Sequence, residues 1–211
     1  MIDTLPRTVF AALVTNLVVI ASVIASGRHD VHAENALFEN IQAVCLIFAA
    51  ILYAASSFRN KSTERVELVG LALLCFSFSL REIDIELIGL PQLIEQLLVG
   101  NGRTASLLVL WSGYLAFLLR QPVNLSELVH RQFDSGLSRY LFVSAGLLLT
   151  GALIDRGLLT PDHPRLFEEL LEVNAYVLLF IPAAKSIVTS ARQPQDNSIE
   201  APEPDTVTVA D

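Results

Sequence analysis

Glu39, Gln42, Arg81, Glu82, Asp84, Asp155, Arg156, Glu168 and Glu172 are the residues of this chain best placed to do chemistry, because each lies at or inside the end of an apolar run. Ionisable groups at such depth are costly, so they pair or line a watery cavity. The densest stretch is Leu80-Arg81-Glu82-Ile83-Asp84-Ile85-Glu86, which follows the apolar run Val66–Leu80. Glu172 is the sharpest single case, lying within its run, roughly 9 Å along the helix from Leu166 at 1.5 Å per residue. Two kinds of chemistry fit. The carboxylates could bind a cation, a proton or a small polar ligand. Alternatively, Arg81 and Arg156 neutralise nearby carboxylates and lock helix ends together. Arg81 cannot shed its proton, so it is expected to bridge Glu39 or Glu172.

The elements that must position these groups follow from composition. Hydrophobic residues make up 53% of the 211, charged residues only 17%, and the mean hydropathy is +0.53. Soluble domains carry about 25% charged residues. Here the charges are bunched between apolar runs, the pattern of a polytopic membrane protein. A net charge of −8 and a pI near 5.0 argue against nucleic-acid partners, which call for a basic patch. The expected fold is all-α, a transmembrane helix bundle of about six spans over residues 1–190. An acidic, Pro-rich cytoplasmic tail over 191–211 is expected to be disordered.

The six runs are Thr8–Ser26, Leu37–Phe58, Val66–Leu80, Thr104–Leu119, Tyr140–Ile154 and Leu170–Val188. Val23-Ile24-Ala25 resembles a signal cleavage site, but the first run is too long for a signal core of about 7–15 residues, so a retained helix is expected. Nine of the 14 basic residues fall on one side of this topology: Arg7, Arg59, Lys61, Arg65, Arg120, Arg131, Arg139, Lys185 and Arg192. By the positive-inside rule both termini are then cytoplasmic. The other five, Arg28, Arg81, Arg103, Arg156 and Arg165, lie outside with twelve of the 22 acidic residues. The acidic cluster is therefore expected to face outward.

Spacing assigns faces. Glu39, Gln42, Leu46, Ala49 and Tyr53 share one helix face, as do Glu168, Glu172 and Tyr176. Ser77, Arg81 and Asp84 share another. Pro91 and Gly100-Asn101-Gly102 bracket a short outer helix or an early extension of the fourth span. A capping box at Asn124–Glu127, followed by the stripe Leu125, Leu128, Val129 and Phe133, predicts an interfacial helix over 126–133. Gly146, Thr150 and Gly151 permit close helix approach. Leu37-Phe38-Glu39 and Leu166-Phe167-Glu168 form a weak internal echo.

His29, His32 and His163, with neighbouring carboxylates, could hold a metal, although His-x-x-His off a helix is weak evidence. Cys45 and Cys75 sit in apolar runs and read as packing. No cofactor-binding motif occurs. The Glu34, Asn35, Glu39, Gln42 stretch, with Arg81-Glu82-x-Asp84 and Phe167-Glu168-Glu169-x-x-Glu172, resembles a group of small bacterial inner-membrane proteins. That resemblance implies a multi-pass protein of the inner membrane and no particular activity. Alkaline ceramidase-type hydrolases also combine polar helix ends with His and Asp, but their His-x-x-x-His pair is missing here. The sequence reading is a protein embedded in the lipid bilayer whose outer acidic cluster binds or senses a small polar ligand or cation, without catalysis. A small, proton-coupled transporter and an intramembrane carboxylate or metal hydrolase are the alternatives.

Overall fold

A backbone that crosses lipid must satisfy its own hydrogen bonds, which favours helices wherever apolar runs are long. The computed structural model describes residues 5–26, 37–60, 62–83, 89, 91–121 and 136–192, and among these there is no strand. The described residues form seven helices: α1 (Leu5–Ser26), α2 (Leu37–Ser57), α3 (Ser62–Glu82), α4 (Gln92–Leu98), α5 (Gly100–Arg120), α6 (Gly136–Asp155) and α7 (Pro164–Arg192). The loop holding His29 and His32, the residues Asp84 and Glu86, the 126–133 helix and the tail lie outside the described residues.

Among the described residues, four helices are long and apolar enough to cross a membrane: α2, α5, α6 and α7. Helix α1 carries a shorter apolar stretch, Val14–Val23. In α3, Glu64, Arg65 and Glu67 at one end and Arg81 and Glu82 at the other leave an uncharged stretch of only Leu68–Leu80. Large apolar side chains face outward along these helices, including Val44, Phe48 and Ile51 of α2 and Leu108, Val109 and Leu119 of α5. Such continuous apolar surface suits lipid rather than water.

Helix α7 is the axis of the bundle, and long-range hydrogen bonds fix the direction of its neighbours. Glu39 of α2 meets Arg165, Gln42 meets Glu169, Tyr53 meets Leu179 and Ser56 meets Ser186. The two helices therefore run parallel, with a nearly constant offset. Helix α6 runs antiparallel to α7, with Tyr140 at Lys185, Ser144 at Ala175 and Gly151 near Glu168. So does α1, with Asn16 at Asn174 and Val23 among Leu166 and Leu170, and α3, which starts beside the α2 end at Ser186 and finishes with Arg81 at Glu172. The predicted α2 face holds: Gln42, Leu46, Ala49 and Tyr53 are fully buried, and the last three join Leu68, Leu71, Cys75, Tyr176, Leu179 and Ala183 in the core. Cys75 is a core residue, and Cys45 packs against the same cluster.

The internal echo does not extend to packing. Leu37 is exposed whereas Leu166 is buried, so matching residue types occupy different environments. Of the predicted close-approach residues only Gly151 serves α7. A Cβ there would stand 3.7 Å from Glu172 Cγ, whereas one at Gly146 would meet open space. Thr150 turns back to its own helix, donating to the Gly146 carbonyl at 2.8 Å.

Local signals close the helices. Asn60 donates to the Ser56 carbonyl at 3.0 Å and finishes α2. Gly157, at φ 68°, ends α6. The Leu158 amide there bonds the Leu153 carbonyl at 2.9 Å and the Gly157 amide bonds Ile154 at 2.9 Å. These are the two hydrogen bonds of a Schellman motif. Helix α4 is separate from α5, so the short-helix reading of Pro91–Val99 is the one realised. The break falls at Gly100, at φ 53°. A Cβ on Gly102 would lie 1.7 Å from the Gln96 carbonyl oxygen, so the corner requires glycine there.

Candidate functional site

The ends of α2, α3 and α7 away from the α2–α3 turn bring ionisable groups together. Helix α7 contributes Arg165, Glu168, Glu169 and Glu172. Helix α2 contributes Glu39 and Gln42. Helix α3 contributes Arg81 and Glu82. The stripe Arg165, Glu169, Glu172 and Tyr176 recurs at four-, three- and four-residue steps, so one face of α7 carries the network.

Two guanidiniums knit it. Arg81 Nη2 donates to Glu172 Oε1 at 2.5 Å, and its Nε lies 3.3 Å from Glu82 Oε1. Arg165 Nη2 donates to Glu39 Oε1 at 3.0 Å and to Glu169 Oε1 at 2.9 Å, with Glu168 at 3.8 Å. Both arginines keep about half their side chains exposed, while Glu82, Glu169 and Glu172 are almost fully enclosed. Each cation thus reaches from the surface over buried anions, the geometry of long side chains that bury their stems and keep their heads wet.

Neutral groups complete the site. Gln42 Nε2 donates to Glu169 Oε2 at 2.8 Å and more weakly to the Glu169 carbonyl at 3.4 Å. Tyr176, also fully buried, donates its hydroxyl to Glu82 Oε1 at 2.9 Å and sets its ring against Phe78. Gln42 Oε1 is closed off from solvent and accepts no hydrogen bond. The network counts five carboxylates against two guanidiniums among the described residues. Beyond it, Arg103 donates to the Leu80 carbonyl at 2.9 Å, and the charge of Asp155 bears on Glu168. Negative charge remains in excess.

The structure therefore gathers Glu39, Gln42, Arg81, Glu82, Glu168 and Glu172 from the predicted set. Asp155 and Arg156 are exposed at the end of α6, outside the hydrogen-bonded network. Asp84 lies outside the described residues. Arg81 bridges Glu172, one of its two expected partners. The other, Glu39, takes Arg165, which does for α2 and α7 the neutralising work expected of Arg156. Arg165, Glu169 and Tyr176 are the members absent from the predicted set. Their stripe, at four-, three- and four-residue steps with Glu172, was available as a signal, although Glu168 and Glu172 also share a face at i, i+4.

Compared with known proteins, the chain matches no family model, no curated protein and no solved structure. Function must therefore be argued from the site itself. No group of three or more His, Cys, Asp or Glu side chains is arranged to hold a metal ion among the described residues. What the arrangement offers is excess negative charge, mostly buried, shared by three helices.

Proposed function

We propose that this chain is a six-span protein of a bacterial inner membrane, with both termini cytoplasmic, whose outward acidic cluster binds or senses a small polar ligand or cation without catalysis. One observation carries the reading: five carboxylates, three of them almost fully enclosed, share two half-exposed guanidiniums. Excess buried anions are unstable unless a cation joins them or a proton neutralises one. The cluster is in that sense incomplete, and its occupancy couples α2, α3 and α7. The six spans rest on α1 and α3 crossing with the four helices that are long and apolar enough to do so. The orientation rests on the nine-to-five division of basic residues.

The transporter reading is the weaker one. Below the cluster the buried polar contacts are isolated: Ser144 donates to the Ala175 carbonyl on the α6 side, and Tyr53 to the Leu179 carbonyl on the α2 side, seven residues or about 10 Å beyond Glu172. Leu46, Ala49, Leu71 and Cys75 pack in the bundle core at this level. A continuous polar path would need groups where these stand.

The test is thermal stability of the full chain in lipid nanodiscs, titrated separately with protons, Na⁺, K⁺, Ca²⁺ and methylammonium. At least one cation should raise the melting temperature of the wild type, since a ligand at a hundredfold its Kd stabilises by about 2.7 kcal/mol. The Glu169→Gln/Glu172→Gln double variant should lose that response. Identical responses in both proteins would remove the cluster as the site.

A further inference from the structure

The orphaned atom at the centre of the cluster narrows what its ligand can be. Gln42 is fully buried at the α2–α7 contact, yet its Oε1 accepts nothing. A buried acceptor left without a donor keeps its full desolvation penalty, and such atoms call for an explanation. Reversing the amide does not resolve it, because Nε2 already serves the Glu169 carboxylate at 2.8 Å. Turning the amide over would set Gln42 oxygen against carboxylate oxygen.

The identity of the missing donor follows from space and charge. Oε1 is shut off from solvent on all sides, so neither a water nor an ammonium group reaches it while the helices stay packed. The described residues offer no metal-holding group. One cation needs no cavity, and that is a proton already seated on a neighbouring carboxyl. A carboxylic acid beside a primary amide can pair reciprocally: the acid O–H donates to the amide oxygen while the amide N–H donates to the acid carbonyl. Half of that arrangement is present in Gln42 Nε2 and Glu169 Oε2.

We infer that the Gln42–Glu169 pair is a proton-binding site, with the protonated Glu169 carboxyl donating to Gln42 Oε1. The inference rests on the cation-binding reading above and names its ligand. The proton comes from solvent, adds to a Glu169 oxygen and leaves by the same route, with no other bond made or broken. Charged groups surround the pair from each packed helix. Helix α2 supplies Glu39, α3 supplies Arg81 and Glu82, α6 supplies Asp155 near Glu168, and α7 itself supplies Arg165, Glu168 and Glu172. The one charged side chain of α1, Arg7, belongs to its opposite end. In the ionised form Arg165 holds Glu169 Oε1 at 2.9 Å. Protonation weakens that contact and frees Arg165 for Glu39 and Glu168. The pair therefore exchanges an ion pair at the surface for a neutral, reciprocal hydrogen bond between α2 and α7.

Infrared difference spectra between acid and alkaline buffer, taken on the full chain in nanodiscs, read protonated carboxyls through their C=O stretch. Expected is a band gained at acid pH, lost in Glu169→Gln and shifted to higher frequency in Gln42→Leu, where its hydrogen bond is gone. Should Glu169→Gln fail to fold, the Gln42→Leu shift decides alone, and an unmoved band overturns the inference. A band that survives Glu169→Gln but disappears in Glu172→Gln or Glu82→Gln also overturns it, while leaving cation binding by the cluster intact. Absence of any titrating band, with a melting response to Na⁺, K⁺, Ca²⁺ or methylammonium retained, rejects the proton and keeps the broader reading. Absence of both rejects the two together.

Discussion

Arg81 shows how a single side chain can be read from depth and charge. It caps an apolar helix end, keeps its charge, and finds Glu172 across the α3–α7 contact at 2.5 Å. With 57% of the arginine side chain exposed against 8% of the glutamate, the cost of losing Arg81 lies between that of a surface pair, about 1 kcal/mol, and a buried one, about 3–5 kcal/mol. Arg81→Met should therefore lower the melting temperature in detergent. Adding Glu172→Gln should recover part of the loss, since both partners of the pair are then neutral. Glu39→Gln should recover none, because Glu39 pairs with Arg165. Equal rescue by both second changes would contradict the pairing. The Arg81–Glu172 link was legible because only carboxylates at matching depth could answer the charge. Glu169 was less so. Glu168 and Glu169 are adjacent, and either can share a face with Glu172, at i+4 or i+3. Both are buried, and only the position of Gln42 on α2 decides which of them it hydrogen-bonds.

At the level of elements, apolar run length and three- and four-residue spacing were enough to place the helices and the buried face of α2. They could not give helix neighbours, because lipid-facing and core-facing residues are equally apolar and packing rather than hydrophobicity sorts them. Helix α1 illustrates the point. Its run suggested a span, but nothing in it named α7 as its partner. That contact is marked by Asn174, which donates to Asn16 Oδ1 at 2.9 Å and also to the Leu170 carbonyl. Val19 and Val23 of α1 pack around Phe38, Leu166, Leu170 and Val173 nearby. Interhelical hydrogen bonds of this kind contribute about 0.6–2 kcal/mol. Asn174→Leu should loosen α1 without unfolding the rest. In a background free of Cys45 and Cys75, disulfide trapping between Val19→Cys and Val173→Cys should fall when Asn174→Leu is added. Unchanged trapping would show that apolar packing alone holds α1.

Across the whole molecule, an acidic end and an apolar middle divide the labour. Helix α7 carries both, with charged residues in its first turns and the core residues Tyr176, Leu179 and Ala183 below. A change of charge at Glu169 therefore reaches α2 through Gln42 and through Arg165 on Glu39, and α3 through Glu172, the partner of Arg81, while the packed middle keeps the bundle closed. Segregated charge in the sequence announced that division, but not which acids would outnumber their partners, since that depends on how three helices converge. The central claim is that this cluster registers a cation arriving from the outer side. A pH-insensitive, environment-sensitive fluorophore on Ile83→Cys, beside Glu82 and with Cys45 and Cys75 replaced, reports on it in proteoliposomes of defined orientation. Acidifying the outer side alone should change the emission, acidifying the inner side alone should not, and Glu169→Gln should abolish the change. A response only to the inner side, a response indifferent to Glu169→Gln, or no response from either side would contradict the claim.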